Sequence, residues 1–157
     1  MDSTRFGRQP GVARGLAATQ PTPNDDAVNG ESESWILFVD DERSVRRVGE
    51  RALVGAGHQV LLAEDGCAAL KLFERYGSRI SVVVLDLTMP RMSGAETLCA
   101  LRAIDPRVRV VLSSGYSTEE ATRNLGGQQP TRFIQKPYRV AQLLETVEAV
   151  LAQDSKS

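Results

Sequence analysis

From Trp35 onward, short apolar runs alternate with segments whose apolar residues recur at helical spacing. Trp35–Asp40 predicts a strand. Ser44–Gly57 predicts a helix with Val45, Val48, Ala52, Leu53 and Ala56 on one face and Gly55 and Gly57 as stop signals. His58–Ala63 predicts a second strand, and Asp65 can cap a helix through Tyr76, with Ala69, Leu70, Leu72 and Phe73 inward and Gly77 as its stop. Ile80–Leu85 is apolar but for Ser81 and rich in β-branched residues, the signature of a strand covered on both faces. Ser93-Gly94-Ala95-Glu96 and Ser117-Thr118-Glu119-Glu120 read as capping boxes. The first opens a helix to Ile104, the second a shorter one ending near Gly126-Gly127. Strands are predicted over Val108–Ser113 and Arg132–Gln135, and a last helix over Arg139–Ala152 with Leu143, Leu144, Val147, Val150 and Leu151 on its apolar face.

Five such strand–helix units predict an α/β fold, a doubly wound five-stranded parallel sheet. Ligands in such sheets sit at the carboxyl ends of the strands. Asp40, Asp41, Asp86, Ser114 and Lys136, scattered in sequence, all fall at those ends.

Residues 1–33 have no hydrophobic period and are rich in Gly, Pro, Ser, Thr, Asn and Asp, so they read as a disordered arm. Its first half is basic and Asp25-Asp26 follow; a solvated tail is the expected state. Residues 34–153 read as the folded domain and 154–157 as a short tail. A length of 157 residues with 41% hydrophobic content suits one ordinary domain. The net charge of -1 gives no reason to expect direct nucleic-acid binding. The apolar runs are strand-sized, too short for a membrane span, and no apolar core follows Arg5, Arg8 and Arg14 as in a secretory signal. The default location is the cytoplasm. Cys67 and Cys99 lie in helical patterns and are expected as buried or half-buried thiols rather than a disulfide. His58, the one histidine, is expected in a surface role away from the acidic strand tips.

A carboxylate at the tip of an apolar strand is costly unless something binds it. Asp40, Asp41 and Asp86 together suit a hard divalent cation, and Mg²⁺ fits an all-oxygen site. Lys136 adds a compact positive charge, and Ser113 or Ser114 a hydroxyl. This is equipment for attack on phosphorus, with Asp86, on the most apolar strand, as nucleophile and Asp40-Asp41 as metal holders.

Four segments carry a resemblance. They are Val39-Asp40-Asp41-Glu42, Leu85-Asp86-Leu87-Thr88-Met89-Pro90-Arg91-Met92-Ser93-Gly94, Leu112-Ser113-Ser114-Gly115-Tyr116 and Phe133-Ile134-Gln135-Lys136-Pro137-Tyr138. In this order and spacing they resemble response-regulator receiver domains, the CheY-like fold, over Trp35 to Gln153. The resemblance implies the flavodoxin-like strand order 2-1-3-4-5, with Asp86 as phosphoacceptor. It implies Asp40, Asp41 and Asp86 as Mg²⁺ ligands, with the backbone carbonyl of Thr88. It assigns Ser114 to the phosphoryl group and Lys136 to the phosphate, and Phe133 to the switch aromatic. Ser114 is preferred over Ser113 because the family's hydroxyl residue precedes a small residue, here Gly115. Lys136-Pro137 is expected to be cis. The resemblance further implies that Thr88 and Tyr116 border the path of the hydrolytic water and bear on the lifetime of the acyl phosphate.

The implied function is a phosphoacceptor in a two-component His-Asp phosphorelay, catalysing only its own phosphorylation and dephosphorylation. Its implied partners are a histidine kinase or histidine phosphotransfer protein and a downstream protein target, with a phosphorylation-dependent dimer as a further option. The chain ends soon after the last helix, so a stand-alone receiver without a DNA-binding output is expected. The wording Ser-Ser-Gly-Tyr and Gln-Lys-Pro-Tyr is similar to receivers of hybrid histidine kinases, so descent from such a protein stays open. One rival is a Mg²⁺-dependent phosphatase of haloacid-dehalogenase type, but Asp86-Leu87-Thr88 lacks its second aspartate and lies on the third strand rather than the first. A flavodoxin-like binding module would need a Ser/Thr/Gly-rich loop where this chain has Asp-Asp-Glu.

Overall fold

The computed structural model describes residues 35–156; the arm expected over 1–33 lies outside the described residues. Five strands, β1 (Trp35–Val39), β2 (Gln59–Ala63), β3 (Ile80–Asp86), β4 (Val110–Ser114) and β5 (Arg132–Gln135), form one parallel sheet. Their order is β2-β1-β3-β4-β5, as expected. The helices between and after them are α1 (Arg43–Gly55), α2 (Gly66–Tyr76), α3 (Gly94–Ile104), α4 (Thr118–Arg123) and α5 (Val140–Lys156).

The strand periodicity divides the core in two. On β1, Trp35, Leu37 and Val39 face one layer with Ala69 and Phe73 of α2, Leu98 and Leu101 of α3 and Ala121 of α4. Ile36 and Phe38 face the other, with Leu53 of α1 and Leu143, Val147 and Val150 of α5. Both faces of the sheet are covered, which is why the strands read as continuous apolar runs. Among the described residues no helix is long and apolar enough to cross a membrane.

Asp65 caps α2 by accepting from Ala68 N at 2.8 Å, and the Ser93–Glu96 capping box is complete. Ser117 caps α4 by accepting from Glu120 N at 3.2 Å, without the reciprocal bond a full box requires. That helix stops at Arg123, ahead of the expected glycine stop; Asn124 N and Leu125 N close tighter turns onto Ala121 O and Thr122 O, Leu125 is buried, and Gly126 and Gly127 then turn the chain, with φ of 60° and 92°. At the other end of the fold α5 continues to Lys156, past Ala152, where its apolar pattern fades.

Three expectations need correction. Val48 and Ala56 do not belong to the inward face of α1: Val48 is 51% exposed and Ala56 is exposed too, while Gly49 is buried. The ring of Phe38 occupies the space beneath α1, and a Cβ on Gly49 would lie 2.5 Å from its Cε2. Cys67 and Cys99 are free thiols but exposed, because Ala69 and Phe73, or Leu98 and Leu101, take the sheet-facing side of their helices. His58 is not a free surface residue: its side chain is 12% exposed and its Nε2 lies 3.0 Å from Glu148 Oε2 on α5.

The Gly49–Phe38 contact sets two effects against each other. Alanine is favoured over glycine inside a helix by about 1 kcal/mol. Forcing a methyl group into a packed core costs about 1–3 kcal/mol. Phe38 is 1% exposed and has no room to swing away, so packing wins. Gly49→Ala is expected to lower stability by up to about 2 kcal/mol in urea unfolding; a gain would show that α1 tilts freely.

Candidate functional site

The sheet order makes β3 central, flanked by β1 and β4. β1 runs on to β2 in one direction while β3 lies on its other side, so their carboxyl ends flank the crevice where chain connections diverge. Val39 pairs with Leu85 and Asp86 with Ser113. Asp40 thus leaves β1 beside the last residues of β3, and Lys136 leaves β5 with its N–H donating to Ser114 O at 2.8 Å. Residues nearly a hundred positions apart are brought together by strand register alone.

Asp40, Asp41 and Asp86 can each offer a carboxylate oxygen within 4.8 Å of the others. Asp40 is 1% exposed and Asp86 4%, while Asp41 is exposed. Lys136 Nζ lies 2.9 Å from Asp40 Oδ2 and 3.3 Å from Asp86 Oδ1. The peptide bond following it, Lys136-Pro137, is cis, as expected. Asp40 is held on every side: Oδ1 accepts from Glu42 N at 2.9 Å, its carbonyl accepts from Arg46 Nη1 at 2.7 Å, and its N–H donates to Ala63 O. An open cleft lined by Asp41, Glu42, Asp86, Thr88, Gly115, Tyr116 and Lys136 leads to the carboxylates.

Charge at the site does not balance. Burial, and then the neighbouring charge of Asp40, push Asp86 up to about 7, and Lys136 only partly opposes this. For Lys136, burial pulls downward, but the hydrogen bond to Asp40 and the charge of Asp86 outweigh it and the ammonium is held more firmly than usual. Tyr138, behind the site, is pushed up to about 12 by burial and by Asp40. Three carboxylates against one ammonium leave surplus negative charge. The donors are all oxygen, the set a hard divalent cation such as Mg²⁺ prefers over softer metals.

Ser114 and Ser113 are both buried. Ser114 Oγ accepts from Tyr116 N at 2.9 Å, so its hydroxyl oxygen is engaged by its own loop beside the cleft. Phe133 is half-buried against the α2–α3–α4 layer. Thr88 and the 49% exposed Tyr116 line the cleft mouth. Gly94 packs against the turn after Asp86: a Cβ there would meet Asp86 O, and Gly94 N donates to Leu87 O at 2.7 Å. Sequence reasoning missed Arg46 and Glu42. A signal existed for Arg46, since the first turn of α1 carries arginines and no acid, against the helix dipole.

The raised Asp86 carboxyl has a consequence for stability. The folded protein binds this proton more tightly than the unfolded chain does. Without divalent cation its contribution is therefore most favourable below pH 4 and is lost as pH rises towards 7. The loss is on the order of 4 kcal/mol. In chelator, Asp86→Asn is expected to be more stable than wild type at pH 8, with the gap closing towards pH 4. Urea unfolding at both pH values checks this; an equal gap at both would refute the charge imbalance.

Residues 36–148 match the response regulator receiver domain family. The chain is 35% identical over 127 residues to the sensor kinase CckA of Brucella abortus, covering 81% of this chain and 13% of that protein. It is 36% identical over 121 residues to the response regulator MprA of Mycobacterium sp. (strain KMS), covering 76% of this chain and 51% of MprA. This chain thus spans about half the length of MprA and a smaller part of CckA. Among solved structures, the CheX–CheY–BeF3–Mg²⁺ complex of Borrelia burgdorferi superposes with a TM-score of 0.70 at 27% identity, covering 74% of this chain and 88% of that one. The five-stranded parallel sheet is the flavodoxin-like CheY fold, and the chain belongs to the receiver domain family of two-component response regulators.

Proposed function

We propose that this receiver accepts a phosphoryl group on Asp86 from the phosphohistidine of a histidine kinase or histidine phosphotransfer protein. The observation that supports this best is the convergence of Asp40, Asp41 and Asp86 with Lys136 spanning two of them. An Asp86 carboxylate oxygen forms the new bond to phosphorus as the P–N bond breaks, and the imidazole leaves with the electron pair. Lys136 lies within reach of the incoming oxygens through its contact with Asp86. Asp40, Asp41, Asp86 and the backbone carbonyl of Thr88 would hold Mg²⁺, which neutralises charge on the transferring oxygens when bound. The Borrelia relative carries BeF3 and Mg²⁺ together, consistent with such a site.

After transfer, Ser114 turns to the phosphoryl oxygens and Phe133 moves into the vacated space, altering the α4–β5–α5 surface read by a downstream protein target. A dimer formed on phosphorylation is one such output. The protein is a phosphoacceptor acting in the cytoplasm, not a turnover enzyme. Because the relatives extend well beyond the matched region, the proposal is confined to the receiver module itself.

With acetyl phosphate and Mg²⁺, wild type is expected to gain one phosphoryl group by intact mass, while Asp86→Asn and a chelator-treated sample gain none. Equal labelling of wild type and Asp86→Asn would end the assignment. Tyr116, bulky and exposed at the cleft mouth, is expected to shield the acyl phosphate from water. Tyr116→Ala should therefore shorten the phosphoryl lifetime by about threefold to tenfold, corresponding to roughly 1 kcal/mol. An unchanged or longer lifetime would count against shielding.

A further inference from the structure

The loop from Asp86 to Gly94 contains Arg91, the one described non-glycine residue with positive φ, at 66°. Within the loop, Met92 N donates to Pro90 O at 2.7 Å, closing a tight turn around Arg91 that accompanies its left-handed angle. The turn aims the side chain outward along the loop, and Arg91 Nη2 reaches Asp65 Oδ2 at 2.7 Å. The Arg91 side chain is 68% exposed, so the ion pair adds little to stability and its role lies in what it joins.

Topology shows what it joins. Asp65 follows β2 and Arg91 follows β3, and β1 lies between those strands. The bridge therefore links the two loops that flank β1 in the sheet, the strand from whose carboxyl end Asp40 and Asp41 emerge. A second tie runs the same way: the space a Gly66 Cβ would occupy is filled by Met92 Sδ at 2.9 Å and by Thr97 Oγ1 of α3. At the near end of this loop Thr88 sits between buried Leu87 and Met89 and faces the cleft with Asp41. Asp65 serves two partners: its Oδ1 caps α2 through Ala68 N while its Oδ2 takes Arg91. The cap first, and then Arg91, hold its carboxyl below the usual range, so it stays ionised.

We propose that Arg91 is a positioning residue: its bridge to Asp65 straps the β3–α3 loop to the β2–α2 loop and holds Thr88 against the Asp40–Asp41 side of the cation site. This inference rests on the reading of the acidic cluster as a Mg²⁺ site. The bridge acts on cation affinity rather than on overall stability.

The test is a Mg²⁺ titration of the full chain followed by amide chemical shifts, alongside urea unfolding. Arg91→Gly removes the guanidinium and relieves the left-handed backbone. Asp65→Asn keeps the cap acceptor and removes the charge. Each variant is expected to weaken Mg²⁺ binding by about twofold to fivefold, the factor that up to about 1 kcal/mol allows. Arg91→Gly is expected to do so without loss of stability. The double variant should be no weaker than the weaker single one, and Arg91→Lys should recover part of the affinity. Wild-type affinity in both singles, or additive losses in the double, would overturn the strap. A wild type that binds no Mg²⁺ would instead overturn the cation site itself, and the strap with it.

Discussion

The structure depends on holding two buried carboxylates beside each other with a single ammonium between them. Lys136 reaches Asp40 and Asp86 at 2.9 and 3.3 Å. Either carboxylate alone with the lysine would be an ordinary buried ion pair. Both together leave the lysine shared and the site negative, and the field falls mainly on Asp86, whose carboxyl is pushed up to about 7 by burial and then by Asp40. Asp40 has further support from Glu42 N, and Arg46 fixes its backbone carbonyl. The two residues therefore divide the work. Asp40 is anchored by its surroundings, whereas Asp86 is the group whose hold on a proton burial and neighbouring charge strengthen.

The fold supplies this arrangement at small cost because the sheet supplies the register. β1, β3, β4 and β5 end at the same edge, and their last residues or the next ones after them carry the chemistry. Beneath that edge, apolar side chains fill both faces of every central strand, so the rigid part of the molecule stops where the polar part begins. Gly94 and Gly66 show how closely the loops are drawn in: a Cβ on the first would meet the carbonyl of Asp86, and one on the second would meet Thr97 and Met92.

Much of this was legible in the sequence. The β-branched run ending at Asp86 marks a central strand whatever its neighbours do, and the four motif segments fix the relative placement of Asp40, Asp41, Ser114 and Lys136. Features set by a single contact across elements were not legible. Val48 and Gly49 are adjacent in a pattern that favours burying the valine; the ring of Phe38 reverses the choice, and no periodicity contains that ring's position. The exposed cysteines and the engaged His58 differ from expectation for a similar reason, since each depends on which neighbour fills a given space. Arg91 reads as an unremarkable loop residue until its backbone angle and its distance to Asp65 are known.

Ser114 carries a last consequence. Its hydroxyl oxygen accepts from the N–H of Tyr116, and its own carbonyl accepts from Lys136 N. The serine is a node where two loops meet rather than a side chain free to rotate alone. A turn of its hydroxyl would hand the Tyr116 amide to water in the open cleft, and any shift of its backbone would be carried to β5 through the Lys136 amide. Residue 114 thus couples the mouth of the cleft to the edge strand of the sheet.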